Sequence, residues 1–163
     1  HEALIKKYNI DDFHSPFVFY EPGFNLRSTD LNAFIGLRQL EKLDWMTQQR
    51  QEHHEQYVQA LGGQFVVQRP PEGATVASIS FGLLANDAAQ RRAIVKALAG
   101  QGIETRIFSA GNLGLHPFWI NRYGKASFPV ADRIHHCGFF LPNHASMNEE
   151  DVSFISKVVL EAA

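Results

Sequence analysis

The longest periodic segment of this chain begins at Ser28, and it constrains the fold more than any other stretch. Ser28 or Thr29 can accept hydrogen bonds from the free N–H groups of a helix start, and Asp30 follows where the helix dipole favours a carboxylate. Apolar residues then recur at helical spacing, at Leu31, Phe34, Ile35, Leu37, Leu40, Leu43 and Met46. The pattern predicts one long helix that ends at Gly62-Gly63, with its more apolar first half packed against a large neighbour.

Shorter strands and helices are predicted after this helix. The composition of residues 64–68, 75–85, 103–108 and 139–141 is typical of strands. Asp87 with Gln90, and Ser146 with Glu149, have the spacing of a capping box, and Pro129 can open a helix. Residues 109–125 are predicted to be a loop. This order favours an α+β fold with a short, mainly antiparallel sheet and helices on one face.

The composition fits one compact domain and excludes several classes of function. The 163 residues include 15 basic and 17 acidic side chains, so no electrostatic case for nucleic-acid binding exists. No apolar run approaches the ~20 residues that cross a bilayer, and no signal peptide is visible. The one cysteine, Cys137, cannot form an internal disulfide and is expected to be a packing residue. We therefore expect a cytoplasmic protein without membrane partners.

The histidines give no sign of a metal site. His53-His54 and His135-His136 are adjacent pairs, and neighbours along a helix point to different faces, so neither pair chelates one ion easily. No group of Cys and His has zinc spacing. We expect both pairs to be surface or rim histidines. His116, in a glycine-containing loop near Trp119, is the one histidine that we retain as a candidate site residue.

A first candidate motif precedes the long helix. Asn25 and Arg27 stand just outside the helix start, where an anion is favoured, so an amide and a guanidinium could together hold a phosphate there. The same residues could equally form only a turn and a cap.

A second candidate motif follows the strand at residues 103–108. Arg106 could bind a carboxylate or phosphate with two parallel hydrogen bonds, or it could stand in solvent on an edge strand. Gly111-Asn112 then opens a small-residue loop, and such loops commonly carry binding sites.

Both motifs resemble the DegT/StrS (DegT/DnrJ) family of pyridoxal-phosphate-dependent sugar-modifying enzymes. Residues 23–40 (GFNLRSTDLNAFIGLRQL) and 103–119 (IETRIFSAGNLGLHPFW) carry the resemblance, which extends over residues 17–160. It implies that residues 1–163 are the small C-terminal domain of a fold-type-I enzyme. Residues 1–27 would then be an arm towards the large domain or the dimer partner.

The resemblance also implies the roles of five residues. Asn25 would bind the phosphate of pyridoxal 5'-phosphate across a dimer interface, and Arg27 would approach the sugar nucleotide or the cofactor. Arg106, Asn112 and His116 would contact the substrate. The Schiff-base lysine, or the histidine that replaces it in dehydratases, is expected upstream. This chain alone is therefore expected to be inactive.

Three functions remain open at this point. The first is amino transfer, from glutamate to a nucleotide-linked 4-keto-6-deoxy sugar, by a homodimer in polysaccharide or deoxysugar biosynthesis. The second is removal of the C3 hydroxyl, because Gly111-Asn112-Leu113 with Pro117 more closely resembles the 3-dehydratase branch of the family. The third is a non-catalytic dimerisation or binding domain.

Overall fold

A computed structural model of the chain describes residues 2–8 and 28–163, which fall into two units, residues 1–39 and 40–163. These described residues form seven α-helices and four strands. In chain order they are α1 (Glu2–Tyr8), α2 (Asp30–Leu40), α3 (Leu43–Leu61), β1 (Val66–Val67), β2 (Ser80–Leu84), α4 (Ala88–Gly100), β3 (Arg106–Ile107), α5 (Pro117–Tyr123), α6 (Pro129–Cys137), β4 (Gly138–Pro142) and α7 (Glu149–Glu161).

The predicted long helix is two helices, so the prediction of one continuous helix was wrong. Its start is confirmed, because the Thr29 hydroxyl accepts a hydrogen bond from the Asn32 N–H at 3.2 Å. The chain turns at Glu41 and Lys42, and α3 begins at Leu43. Neither residue of the turn is Gly or Pro, and Lys42 keeps dihedrals of φ −105° and ψ −2°, so no local signal marks the break. Within its own unit, α2 buries none of its residues.

Within the described part of the chain, the sheet has four antiparallel strands in the order β1-β2-β4-β3, which confirms the predicted α+β class and antiparallel pairing. β1, β2 and β3 are shorter than predicted, whereas β4 is longer by one residue at each end. β2 begins at Ser80 because its partner β4 ends opposite it at Pro142. Pro70 and Pro71 follow β1 and offer no N–H groups to a ladder. Strand length was therefore decided by the available partner.

One face of the sheet forms the core with three helices. Phe81 and Leu83 on β2 lie beside Phe139 and Leu141 on β4, and all four side chains are buried. Buried residues of α3, α4 and α7 complete this cluster, which includes Tyr57, Leu61, Ile94, Leu98, Val152, Ile155, Val158 and Val159. The Tyr57 ring stacks on Phe81 with centroids 4.8 Å apart, and its hydroxyl donates to the Pro142 carbonyl at 3.0 Å. Segregation of these helices to one face agrees with the predicted architecture.

The opposite face of the sheet is covered by an aromatic residue that leads into the next loop. The Phe108 ring stacks on Phe140 with centroids 4.4 Å apart. A Cβ at Gly82 would lie 2.5 Å from Cε2 of Phe108, so this position requires glycine if Phe108 is to stay in place. Phe108, which directly follows β3, therefore packs against the two central strands, β2 and β4.

Two helix caps can be compared with their predictions. Asp87 caps α4 as expected, accepting the N–H groups of Ala89 and Gln90 at 2.8 Å each. The predicted capping box is only half formed, because Oε1 of Gln90 accepts the N–H of Asn86 and not that of Asp87. The last helix instead begins two residues later than the predicted capping box. Asn148 and Asp151 exchange side-chain to backbone hydrogen bonds of 2.9 Å in both directions, and the prediction of Ser146 with Glu149 was wrong.

The first histidine pair also differs from its prediction. His53 and His54 are both buried on α3, where rim positions were expected. His54 meets the edge of Phe81 at 5.1 Å between centroids, and burial lowers the pKa of its imidazole. Cys137 is buried and free, as predicted. Among residues 2–8 and 28–163, no three His, Cys, Asp or Glu side chains are arranged to hold a metal ion, and no helix is long and apolar enough to cross a membrane.

Candidate functional site

The segment after β3 contains more regular structure than the predicted loop. Residues 109–116, which we call the Asn112 loop, begin with positive φ angles of 52° at Ser109 and 66° at Gly111. A 3-10 turn follows at Leu113–Leu115, and α5 begins directly after His116. Pro117 stands at the first position of α5, where its fixed φ suits a helix and its missing N–H costs nothing. The prediction of an uninterrupted loop over residues 109–125 was therefore wrong.

The side chain of Asn112 is directed into the protein. It is 2% exposed, and its oxygen accepts the Gly114 N–H at 2.8 Å. Its amide nitrogen donates to Oδ1 of Asp132 in a short hydrogen bond. Its backbone N–H donates to Nδ1 of His135 at 3.2 Å. Asn112 therefore attaches its loop to α6, which carries both partners.

Asp132 is a site residue that the sequence did not reveal. Its Oδ2 accepts the Ser127 hydroxyl at 2.7 Å and the Phe128 N–H at 3.1 Å, while Oδ1 faces Asn112. The hydrogen bonds from Ser127 and then from Asn112 hold the pKa of this carboxyl below its ordinary value. The available signal was an acidic residue in the first turn of a helix predicted to open at Pro129, which by itself indicates only a favourable dipole contact.

Gly111 lies against the imidazole of His135. A Cβ at position 111 would overlap Nδ1 of that ring, and the positive φ also favours glycine. Because Nδ1 accepts the Asn112 N–H, the neutral ring carries its proton on Nε2. The loop can thus approach α6 closely only with glycine at this position.

His116 closes the other end of the Asn112 loop. Its Nε2 lies 2.9 Å from the carbonyl oxygen of Ala110, so Nε2–H donates, and in the neutral ring Nδ1 is left as an acceptor. Trp119, on the helix that follows, packs against Tyr123 and Phe128 with centroids 4.8 and 6.3 Å away. The structure thus brings two predicted site residues, Asn112 and His116, into one short loop.

Arg106 lies apart from these contacts. Its side chain is 80% exposed and meets Glu104 at 3.4 Å, on the sheet position paired with Phe140. A recess of about 280 Å³ lies nearby, bordered by Arg91, Arg106, Gly111 and His135 among others. Arg91 is held there by a hydrogen bond from Nε to the His136 carbonyl at 3.2 Å. Arg106 therefore presents an accessible guanidinium at the edge of the sheet.

Comparison with known proteins agrees with the resemblance seen in the sequence. Residues 4–160 match the DegT/DnrJ/EryC1/StrS aminotransferase family. The chain belongs to this family. It is 27% identical over 140 residues to GDP-perosamine synthase of Escherichia coli O157:H7. The aligned region covers 85% of this chain and 37% of the relative. It is also 27% identical over 106 residues to GDP-4-keto-6-deoxy-D-mannose 3-dehydratase of Yersinia pseudotuberculosis. That aligned region covers 64% of this chain and 27% of the relative.

Solved structures of other proteins share the fold. Escherichia coli GDP-4-keto-6-deoxy-D-mannose-3-dehydratase with bound hydrated PLP superimposes with a TM-score of 0.73 at 22% identity, over 92% of this chain and 40% of that one. Helicobacter pylori PseC, an aminotransferase involved in the biosynthesis of pseudoaminic acid, superimposes with a TM-score of 0.74 at 22% identity. The match covers 99% of this chain and 46% of that one. The chain thus spans less than half of these enzymes and about a third of the curated relative GDP-perosamine synthase.

Two of the five predicted site residues of this DegT/DnrJ/EryC1/StrS chain, Asn25 and Arg27, lie outside the described residues. Asn25 was the residue expected to bind a cofactor phosphate, so residues 2–8 and 28–163 contain no position assigned to the cofactor. The proposed substrate contacts of Arg106, Asn112 and His116 stay predictions.

Proposed function

We propose that the full-length protein is a pyridoxal 5'-phosphate-dependent aminotransferase that acts on a nucleotide-linked 4-keto-6-deoxy sugar. The observation that carries this proposal is the family match over residues 4–160. Both curated relatives described above are named for GDP-linked sugars, which supports a nucleotide sugar as the substrate class. Because the chain corresponds to only 37% of GDP-perosamine synthase, the reaction is proposed for the whole protein.

The contributions of this chain would be binding and orientation. Pyridoxal phosphate, when bound, supplies the electron sink for the chemistry. Asn25 would hold its phosphate across a dimer interface, and Arg27 would approach the sugar nucleotide or the cofactor.

Arg106 is suited to an anionic part of the substrate. Its guanidinium is exposed, and its only described ion pair, with Glu104, is between two side chains that are each 80% exposed. An exposed ion pair is worth little, so a diphosphate could replace Glu104 at small cost.

His116 and Asn112 would act on the sugar side. The tautomer of His116 that donates to Ala110 leaves Nδ1 as an acceptor, which is suited to a hydroxyl group. Asn112, with its side chain buried, would act through the loop that it holds.

The assembly and pathway are part of the same proposal. We propose a homodimer, because α2 exposes Leu31, Phe34 and Leu37, and exposed apolar clusters mark interaction surfaces. Glutamate is the proposed amino donor, and a solved 3-dehydratase of this fold that contains a trapped PLP-glutamate geminal diamine supports that choice. A cytoplasmic location and a role in polysaccharide or deoxysugar biosynthesis complete the proposal.

A second candidate function is removal of the C3 hydroxyl. It is supported by the 27% identity to a 3-dehydratase and by the Gly111-Asn112-Leu113 sequence of the Asn112 loop. Because the identity to GDP-perosamine synthase is also 27%, the relatives do not separate the two reactions. The non-catalytic domain is the third candidate.

Product analysis would test these functions directly. We expect full-length protein with pyridoxal phosphate, glutamate and GDP-4-keto-6-deoxy-D-mannose to give a sugar that retains nitrogen, detected by mass spectrometry with ¹⁵N-labelled glutamate. Loss of the C3 oxygen without retained nitrogen would establish the dehydratase instead. Neither product from any 4-keto-6-deoxy nucleotide sugar would favour the non-catalytic domain. Residues 1–163 alone are expected to give no product.

The proposed role of Asn25 predicts weaker cofactor retention in Asn25→Ala. A hydrogen bond to a charged phosphate contributes about 1.5–3 kcal/mol, so the variant should bind pyridoxal phosphate about tenfold more weakly or worse. The measurement is cofactor titration of the full-length dimer by absorbance. Asn32→Ala is the matched control, because Asn32 is exposed in the first turn of α2. Equal affinity in a folded Asn25→Ala dimer and in wild type would contradict the role.

A further inference from the structure

We propose that Asp132 is a positioning residue for substrate binding, acting through Asn112. In this inference, which rests on the proposed function, the carboxylate on α6 keeps the Asn112 loop in the conformation that presents His116. We assign the Asp132 carboxylate no contact of its own with the substrate.

The two oxygens of Asp132 have different partners, and this division supports the proposal. Oδ2 accepts the hydroxyl of Ser127 and the backbone N–H of Phe128 at the start of α6, which is what a helix-capping carboxylate does. Oδ1 instead accepts the side-chain amide of Asn112, which is 20 residues away in sequence. A residue that only capped α6 would need Oδ2 alone. The second oxygen therefore connects the helix to the loop.

The orientation of the Asn112 amide is determined by its neighbours. The Gly114 N–H can only donate, so it must face the amide oxygen at 2.8 Å. The NH₂ group must then face the acceptor, Oδ1 of Asp132. The amide oxygen and the NH₂ group of Asn112 are thus both hydrogen-bonded, and the residue is only 2% exposed. Through these two bonds, the position of Asp132 fixes the position of the turn at Leu113–Leu115. That turn is followed immediately by His116.

The other attachments of the loop do not replace this contact. The Asn112 N–H bonds His135 at 3.2 Å, and the Gly111 N–H bonds the Phe108 carbonyl at 2.9 Å, so both act at the beginning of the loop. The His116 contact with Ala110 joins the loop to itself. The Asn112 side chain provides the described hydrogen bonds that join the Gly114 backbone to α6, beside the Phe128 ring that lies against Gly114. Its loss should release the turn and leave α6 in place.

The experiment measures steady-state kinetics of the full-length enzyme with GDP-4-keto-6-deoxy-D-mannose as probe. In Asp132→Asn, the side chain has one acceptor oxygen in place of two. If that oxygen keeps Ser127 and Phe128, the new NH₂ group faces the NH₂ group of Asn112, and neither can accept. We expect KM for the probe to rise about tenfold, kcat to stay within about twofold, and cofactor retention to be unchanged. A rise in KM with kcat unchanged indicates that binding groups are misplaced. A general loss of folded enzyme would instead lower the apparent kcat.

An exchange of the two side chains provides the rescue. The double variant Asn112→Asp with Asp132→Asn reverses the donor and acceptor of the central bond. A carboxylate at position 112 still accepts from Gly114, and an amide oxygen at position 132 still accepts from Ser127 and Phe128. We expect KM to return to within about threefold of wild type. Asn112→Asp alone should raise KM as Asp132→Asn does, because two carboxylates would then face each other.

Asp87→Asn is the matched control, because the Asp87 carboxylate also accepts hydrogen bonds at a helix start, from the N–H groups of Ala89 and Gln90, but lies at α4. Its KM should equal that of wild type. If Asp132→Asn raises KM no more than Asp87→Asn does, or if the exchange variant fails to restore KM, the positioning role is overturned.

The proposed function can fail independently of this inference. If wild type does not turn over the probe, the assigned substrate is wrong, and amide hydrogen exchange of the full-length protein then tests the loop contact itself. Asp132→Asn should speed exchange at the Gly114 N–H by about tenfold, with α7 unchanged. Equal exchange at Gly114 in wild type and Asp132→Asn would overturn the inference.

Discussion

Phe81→Ala is expected to lower the free energy of unfolding by about 3–5 kcal/mol, the usual cost of removing a buried phenyl ring. Phe81 is fully buried on β2, stacks on Tyr57 at 4.8 Å and meets the edge of His54 at 5.1 Å. Its removal leaves a cavity between the sheet and α3. Because domains of this size have only about 5–15 kcal/mol of stability, the variant should unfold at much lower urea concentration.

Phe154→Ala is the matched control for this measurement. Phe154 is 48% exposed on α7, so the same chemical change should cost less than about 1 kcal/mol. Both variants can be followed by urea titration with circular dichroism. Equal losses of stability in the two variants would contradict the described core.

Gly111→Ala is expected to destabilise the Asn112 loop by about 2–5 kcal/mol in total. The positive φ of 66° accounts for about 1–2 kcal/mol of this cost in a residue with a Cβ. The rest comes from overlap of the new methyl group with Nδ1 of His135, and overpacking of this kind costs about 1–3 kcal/mol. In the full-length enzyme, the displaced loop should also raise KM for the probe.

Two comparison variants separate the backbone cost from the overlap. Gly102→Ala carries a similar φ of 74° but has nothing within 4 Å of the added Cβ, so it should show the φ cost alone. His135→Ala combined with Gly111→Ala removes the overlapping ring, and the double variant should be more stable than the sum of the single changes predicts. Additive effects in this cycle would show that His135 does not limit the space at Gly111.

The candidate site was only partly accessible to sequence reasoning. The sequence pattern placed Asn112 and His116 in one loop after a strand, and the structure places them there. The sequence did not indicate that the Asn112 side chain is buried, because an asparagine directly after a glycine usually signals an exposed turn. Its partner Asp132 lies on a separate helix, and no local pattern relates the two residues.

The amino-acid sequence by itself determined the family, the α+β class and several helix starts. The helix starts depend on local chemistry: Thr29 and Asp87 cap helices because their side-chain oxygens lie beside free N–H groups, and Pro129 suits a first helical turn because of its fixed φ.

The tertiary structure alone decided the features that depend on distant partners. β2 begins at Ser80 because β4 ends at Pro142 opposite it, and His54 is buried because α3 packs its ring against Phe81. The junction of Asn112 with Asp132 likewise exists only after the loop and α6 have met. Hydrogen-bond partners and burial are properties of surfaces brought together by folding, so residues that are separated in sequence acquire their roles only in the folded chain.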